Sequence, residues 1–175
     1  MGNFISVYTD EPRISAAPRS SDPAAIAQIL AAHPDDDMAS SLTQLVNGRF
    51  ECEESDEAGR VLYAFQKVLE TFSPSKTTVE IYLDEDQFPE MWRFAFEANN
   101  PPVALPTSSY GNPSVAYWPH GDVKTFLSTF RSLDFARLEK ATRHPGAYRD
   151  EVREILEVLQ FADLHASGVY VFINE

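Results

Sequence analysis

Apolar side chains recur along this chain with two different periods, and those periods divide it into helices and strands. The strongest pattern closes the sequence. Tyr148, Val152, Ile155, Leu159 and Ala162 recur at spacings of three and four, which puts them on one face of a long helix starting near Ala147. Leu156 and Leu164 widen that face, and Asp150, Glu151, Arg153, Glu154, Glu157 and Asp163 fill most of the remainder. Gly168 then offers the left-handed residue that ends a helix. Val169-Tyr170-Val171-Phe172-Ile173 follows, apolar on both sides and β-branched or aromatic throughout, which predicts a strand covered on both faces. Such a strand needs a sheet partner. Asn3 to Thr9 supplies one, with Ile5 and Val7 toward one side and Phe4, Ser6 and Tyr8 toward the other.

The stretches between these ends read as follows. Thr9 to Ser21 carries Pro12 and Pro18 and forms a loop with room for a single helical turn. Asp22-Pro23 is an N-cap followed by proline at the first helical position, opening a helix to about Ala32 with Ile26, Ile29 and Leu30 inward. Asp35, Asp36 and Asp37 sit at the positive end of a second helix, which uses Met38, Leu42, Leu45 and Val46 and stops at Gly48. A third runs from about Asp56 to Phe72 on Val61, Leu62, Phe65, Val68 and Leu69. Thr77 to Leu83 predicts a strand, and Asp84 or Asp86 the cap of a short helix through Phe88, Met91, Trp92 and Ala95. Asn99-Asn100-Pro101-Pro102 is a break, leading through an irregular connection to a strand over Ser114 to Trp118. Asp122 to Phe130 is a helix, and Leu133, Phe135 and Leu138 mark another before the His144-Pro145-Gly146 turn. The expected fold is α+β, a single domain over residues 1–175, whose small sheet is mainly the N- and C-terminal strands packed by several amphipathic helices.

Charge changes this picture most. Asp and Glu number 27 against 14 Lys and Arg, a net charge of -13. A surface this negative repels nucleic-acid backbones and anionic membranes and attracts basic proteins. With 43% hydrophobic and 12% aromatic residues the chain still buries a core unaided. Cys52 is the one cysteine, which rules out an intrachain disulfide and fits a reducing compartment. No apolar run approaches the ~20 residues of a membrane span, and no signal core is present, so a cytoplasmic location is expected. Met1-Gly2-Asn3-Phe4-Ile5-Ser6 matches the myristoylation pattern but overlaps the first strand.

Little in the chain points to a reaction. The acidic clusters Asp35-Asp36-Asp37, Glu51 to Glu57 and Asp84-Glu85-Asp86 lack the alternating oxygen ligands around a glycine turn that calcium needs, so no metal or other cofactor is expected. His33, His120, His144 and His165 are scattered, and His33 and His165 fall where helix C-termini favour a histidine. His120 follows Trp118-Pro119 at a strand-to-helix junction, where function often sits. Acidic neighbours make Cys52 a poor nucleophile. Phe94 and Phe96 cannot share an inward face with Trp92, so one of them is covered by the following segment or exposed as an anchor.

The opening Met1 to Tyr8, Leu42 to Gly48, Tyr110-Gly111 with Pro113 to Trp118, and the ending Gly168 to Ile173 together resemble the YfbM-like family of bacterial domains of unknown function. The chain departs from that pattern around Pro101 to Ser109. The resemblance implies a small cytoplasmic bacterial α+β domain with its two ends paired, and no activity. Two functional classes remain. The leading one is a non-catalytic acidic protein-binding domain, most concretely an immunity-like protein neutralising a basic toxin. It would bind through Glu51, Glu53, Glu54, Asp56 and Glu57, five carboxylates with no basic residue between them. The alternative is an enzyme or small-ligand binder using a cleft near Asp84, Tyr110, His120 and Asp122.

Overall fold

The computed structural model describes residues 2–16, 23–34, 38–50, 55–97, 101–106 and 114–174. Four strands, β1 (Asn3–Thr9), β2 (Lys76–Ile81), β3 (Ser114–Trp118) and β4 (Val169–Asn174), form one sheet in the order β2-β1-β4-β3. All three pairings are antiparallel. The helices among the described residues are α1 (Pro12–Ala16), α2 (Pro23–Ala32), α3 (Met38–Asn47), α4 (Ser55–Phe72), α5 (Pro89–Phe96), α6 (His120–Arg131), α7 (Phe135–Thr142) and α8 (Arg149–Leu164). The fold is α+β, as the two periods predict.

The first and last strands are the two central ones and pair directly, Ile5 opposite Ile173, Val7 opposite Val171 and Tyr8 opposite Tyr170. Alternation then assigns each face. Ile5, Val7, Val79, Ile81, Ala116, Trp118, Val169, Val171 and Ile173 join a core filled from the other side by α5, α6, α7 and α8. Tyr8, Tyr170 and Phe172 join a second core closed by α1 to α4. The second core is aromatic where it meets the sheet: Phe65 of α4 lies edge-on to Tyr170 at 5.2 Å and tilted against Phe172 at 6.1 Å. Buried rings of this kind contribute about 0.5–1.5 kcal/mol per pair beyond their burial. Several polar groups at the sheet find partners there. Gln66 Nε2 donates to the Tyr8 hydroxyl at 3.1 Å, and Ser73 and Ser75, after α4, bond to Thr9.

Several local expectations are corrected. Gly168 is not the left-handed residue after α8; Ala166 is, at φ 52°. Gly168 is small for space instead, since a β-carbon there would lie 2.5 Å from the Tyr117 hydroxyl and 2.8 Å from the Trp118 carbonyl oxygen. Leu164 is 76% exposed because α8 has run past the core by its last turn. Tyr148 precedes α8 rather than joining it, at φ 64°. Helix α6 begins two residues before Asp122, at His120, with Pro119 as its N-cap. The residue capping α5 is Phe88, with no side-chain bond, because Asp84 is spent on the turn before it. Phe94 is buried and Phe96 is exposed, tilted against Trp92 at 4.1 Å. Asp35 to Asp37 lie outside the described residues.

The closed end of the sheet holds one buried acid. Asp10 follows β1, its backbone N–H donates to the Gly168 carbonyl at 2.9 Å, and Ser15 Oγ donates to both of its carboxylate oxygens. Burial pushes its pKa up, and the Ser15 and backbone bonds only partly oppose that. A raised carboxyl pKa means the folded state holds the proton more tightly than the unfolded one. The associated stability is fully present below the ordinary carboxyl range and is lost as pH rises through the folded value. Asp10→Asn should therefore be at least as stable as the wild type at pH 7, and should gain less melting temperature between pH 7 and 4.5. An identical gain would assign the pH response elsewhere. At the neighbouring Gly168, alanine should destabilise by about 1–3 kcal/mol through overpacking, whereas Gly121→Ala, with open space around it, should be neutral or stabilising by up to ~1 kcal/mol in the same thermal melts.

Candidate functional site

Antiparallel register fixes where the sequence-selected residues fall. β2 ends at Ile81 opposite Asn3, so Asp84 emerges at the Asn3 end of one edge strand. β3 ends at Trp118 opposite Val169, so His120 and Asp122 emerge at the Thr9 end of the other edge strand. Asp84 and His120 thus lie at diagonally opposite corners of the sheet, roughly 25 Å apart from strand spacing and rise. They do not share a cleft. Tyr110 lies outside the described residues, as do Glu51, Glu53 and Glu54 and the Asp56 side chain. Glu57 is exposed on the first turn of α4.

At the Asp84 corner, β2 leads into a tight turn. Asp84 Oδ1 accepts from the backbone N–H of Asp86 and of Gln87, both at 2.9 Å, and the Asp84 carbonyl accepts from Phe88 N–H at 2.8 Å. The turn holds Glu85 and Asp86 outward. Facing it is the connection between α7 and α8, where Arg143, Gly146 and Tyr148 all take positive φ. A non-glycine residue held there costs of order 1–3 kcal/mol. Neighbouring contacts offset that cost. The Tyr148 ring stacks on buried Phe88 at 5.7 Å, Arg149 pairs with Glu139 at 2.9 Å and lies over the Phe135 ring, and Arg137 forks onto both oxygens of Glu90.

Burial raises the Tyr148 hydroxyl pKa; a hydrogen bond to the Tyr82 backbone opposes the shift, while Glu151, Tyr82 and Asp84 add to it. Tyr82, Asp84, Tyr148 and Glu151 thus share one electrostatic neighbourhood. Tyr82 leaves half of its surface, 50%, exposed. An exposed aromatic ring among carboxylates suits a Lys or Arg side chain, which gains both charge pairing and contact with the ring face. Tyr82, Tyr148 and Glu151 were not legible as a site. The Pro145-Gly146 turn was the available signal that Tyr148 stands apart from the helix.

At the opposite corner, His120 Nε2 lies 3.0 Å from Asp163 Oδ1, joining the start of α6 to α8. Asp163 also lines an open groove with Lys124, Leu127, Ser128, Arg131 and Ser132. Asp122 occupies the first turn of α6, where its charge favours the helix dipole. His165 Nδ1 donates to the Phe161 carbonyl at 2.9 Å, and the residue caps α8, as its place near a helix end predicts. Among the described residues no three His, Cys, Asp or Glu side chains converge on a metal position, and no helix is long and apolar enough to cross a membrane.

The chain belongs to the DUF7691 family, a domain of unknown function. Its model matches residues 1–174. No curated protein and no solved structure matches the chain. The family match itself says nothing of YfbM-like domains. In this DUF7691 domain the strained approach to α8 makes a specific forecast. Tyr148→Gly loses the ring but relaxes the backbone, whereas Tyr148→Ala loses the ring and keeps the left-handed cost. The glycine variant should melt above the alanine variant by the equivalent of about 1 kcal/mol, the reverse of the order inside a helix. Alanine melting higher would show that the left-handed conformation at this position carries no cost.

Proposed function

We propose that this DUF7691 domain is a non-catalytic binding domain for a basic protein, and that its contact surface centres on the corner formed by Tyr82, Asp84, Glu85, Asp86, Tyr148 and Glu151. The observation that carries the proposal is the pairing of an exposed tyrosine with surrounding carboxylates on a chain of net charge -13. The most concrete version is an immunity-like protein that occludes a basic toxin in a bacterial cytoplasm. The likeness to YfbM-like domains belongs to the same reading, which assigns the chain no reaction. The acidic residues Glu51, Glu53, Glu54, Asp56 and Glu57, of which Glu57 is exposed on α4, are the second candidate surface. A small ligand in the groove between α6 and α8 ranks below both. The His120–Asp163 pair favours it, yet the groove is open and its lining mixes Lys124 and Arg131 with Asp163.

The test begins with a pull-down from the native host and mass spectrometry to identify the partner. Surface carboxylates act mainly on association rate, so Glu85→Lys, Asp86→Lys and Glu151→Lys together should slow association tenfold or more and flatten its salt dependence. Fold stability should change by no more than about 0.5 kcal/mol per substitution. The corresponding reversal of Glu51, Glu53 and Glu54 serves as the comparison. If the first triple leaves rate and salt slope untouched while the second changes both, the site is at Glu51 to Glu57. An acidic or neutral partner would sink the reading altogether.

A further inference from the structure

We infer that the open edge of β2 takes up an extended, Lys/Arg-bearing segment of the basic partner as an added strand of the sheet; this rests on the basic-partner reading above. Among the described residues β2 has β1 on one side and no strand on the other, so every second residue presents its backbone N–H and C=O outward. Among the described residues, no backbone group of Lys76 to Ile81 bonds beyond β1. The two edges of the sheet differ. β3 has α5 packed against it and the 103–105 segment on its other core face, and Trp118 Nε1 donates to the Phe94 carbonyl at 2.8 Å. β2 has α8 on one face only, and on its other face Thr78 and Glu80 stand exposed. A short groove beside Thr77 and Thr78 runs along that face, bounded by Tyr8, Glu70 and Lys76.

The charge around this edge selects the occupant. Glu80 lies on the strand, Glu154 of α8 reaches it by accepting from Thr77 Oγ1 at 2.7 Å, and Asp84 and Glu151 flank its lower end. None of these four carboxylates has an ion pair among the described residues. The single cation on the strand, Lys76, is turned away onto the Glu70 carbonyl. A strand with lysine or arginine at alternate positions would satisfy the free backbone row and place its charges among these carboxylates. A second copy fits less well. Antiparallel pairing about Thr78 sets Lys76 opposite Glu80, but it also brings two α8 helices together with Glu151 and Glu154 on both, in chains of net charge -13 each.

The experiment uses the whole chain and two fluorescent probes. One is a peptide alternating lysine with valine and threonine. The other is the same peptide N-methylated at successive residues, so that neither edge can donate hydrogen bonds. Fluorescence anisotropy at low salt should show the methylated peptide binding at least tenfold more weakly, and amide hydrogen exchange within Lys76 to Ile81 should slow only with the unmethylated one. Glu80→Lys with Glu154→Lys should weaken that peptide tenfold or more while the melting temperature stays near wild type. Equal affinity for the two peptides would overturn strand addition and leave the attraction for basic partners standing. No binding of either would overturn both. A concentration-dependent dimer of the protein alone, abolished by the same double reversal, would give the edge to a second copy and overturn the inference.

Discussion

The pairing of β1 with β4 is the constraint on which the rest of the structure depends. Both strands are buried on both faces over most of their length, so each must be covered twice, once by packing from α5, α6 and α8 and once by packing from α4 that is aromatic at the sheet. Several of their side chains are wholly buried, each contributing ~1.5–3 kcal/mol. The two strands are also 160 or more residues apart in the chain. Every intervening helix therefore has to be placed on one face or the other before the ladder is shielded from water. That ordering makes β2 and β3 peripheral, and the peripheral strands are where the chain meets solvent.

Those central features were legible because burial on both faces leaves a composition that no other environment tolerates. Val169 to Ile173 has no polar residue to put outward, and the parity of Ile5 and Val7 against Ser6 and Tyr8 assigns each side chain to its layer. The pattern failed where local geometry is decided by tertiary contact. Gly168 looks like a helix terminator from spacing, yet its smallness answers to Tyr117 and the Trp118 carbonyl, which lie some fifty residues earlier. Tyr148 fits the apolar stripe of α8, but its ring is drawn toward Phe88 and its backbone turns out of the helix to follow. Leu164 fits the stripe too, and the stripe outlasts the core.

The candidate site was less legible for a related reason. Charge counts located acidic runs along the chain and not in space. Asp84 was legible as a helix-start residue, and its side chain does organise the turn before α5. Its neighbours Tyr82, Tyr148 and Glu151 come from two distant segments, and only the register of β2 and the packing of α8 bring them together. His120 was singled out at its strand-to-helix junction, but its partner Asp163 sits forty-three residues on, at a position that spacing marks only as solvent-facing.

An open strand edge is ordinarily a hazard, since it invites pairing with any extended chain, including a second copy of itself. Proteins blunt such edges with charge. Here the charge is almost all of one sign: Glu80 on the strand, Glu154 beside it and Asp84 and Glu151 at its end, with Lys76 the exception and already engaged. Charge of one sign discriminates in a way that mixed charge does not. It opposes self-pairing, because like meets like, and it opposes acidic and neutral segments, whose arrival strips water from carboxylates without compensation. It leaves one class of strand without that penalty. On the proposed reading, the acidity that opposes self-pairing at this edge is the same property that would make a basic strand its complement.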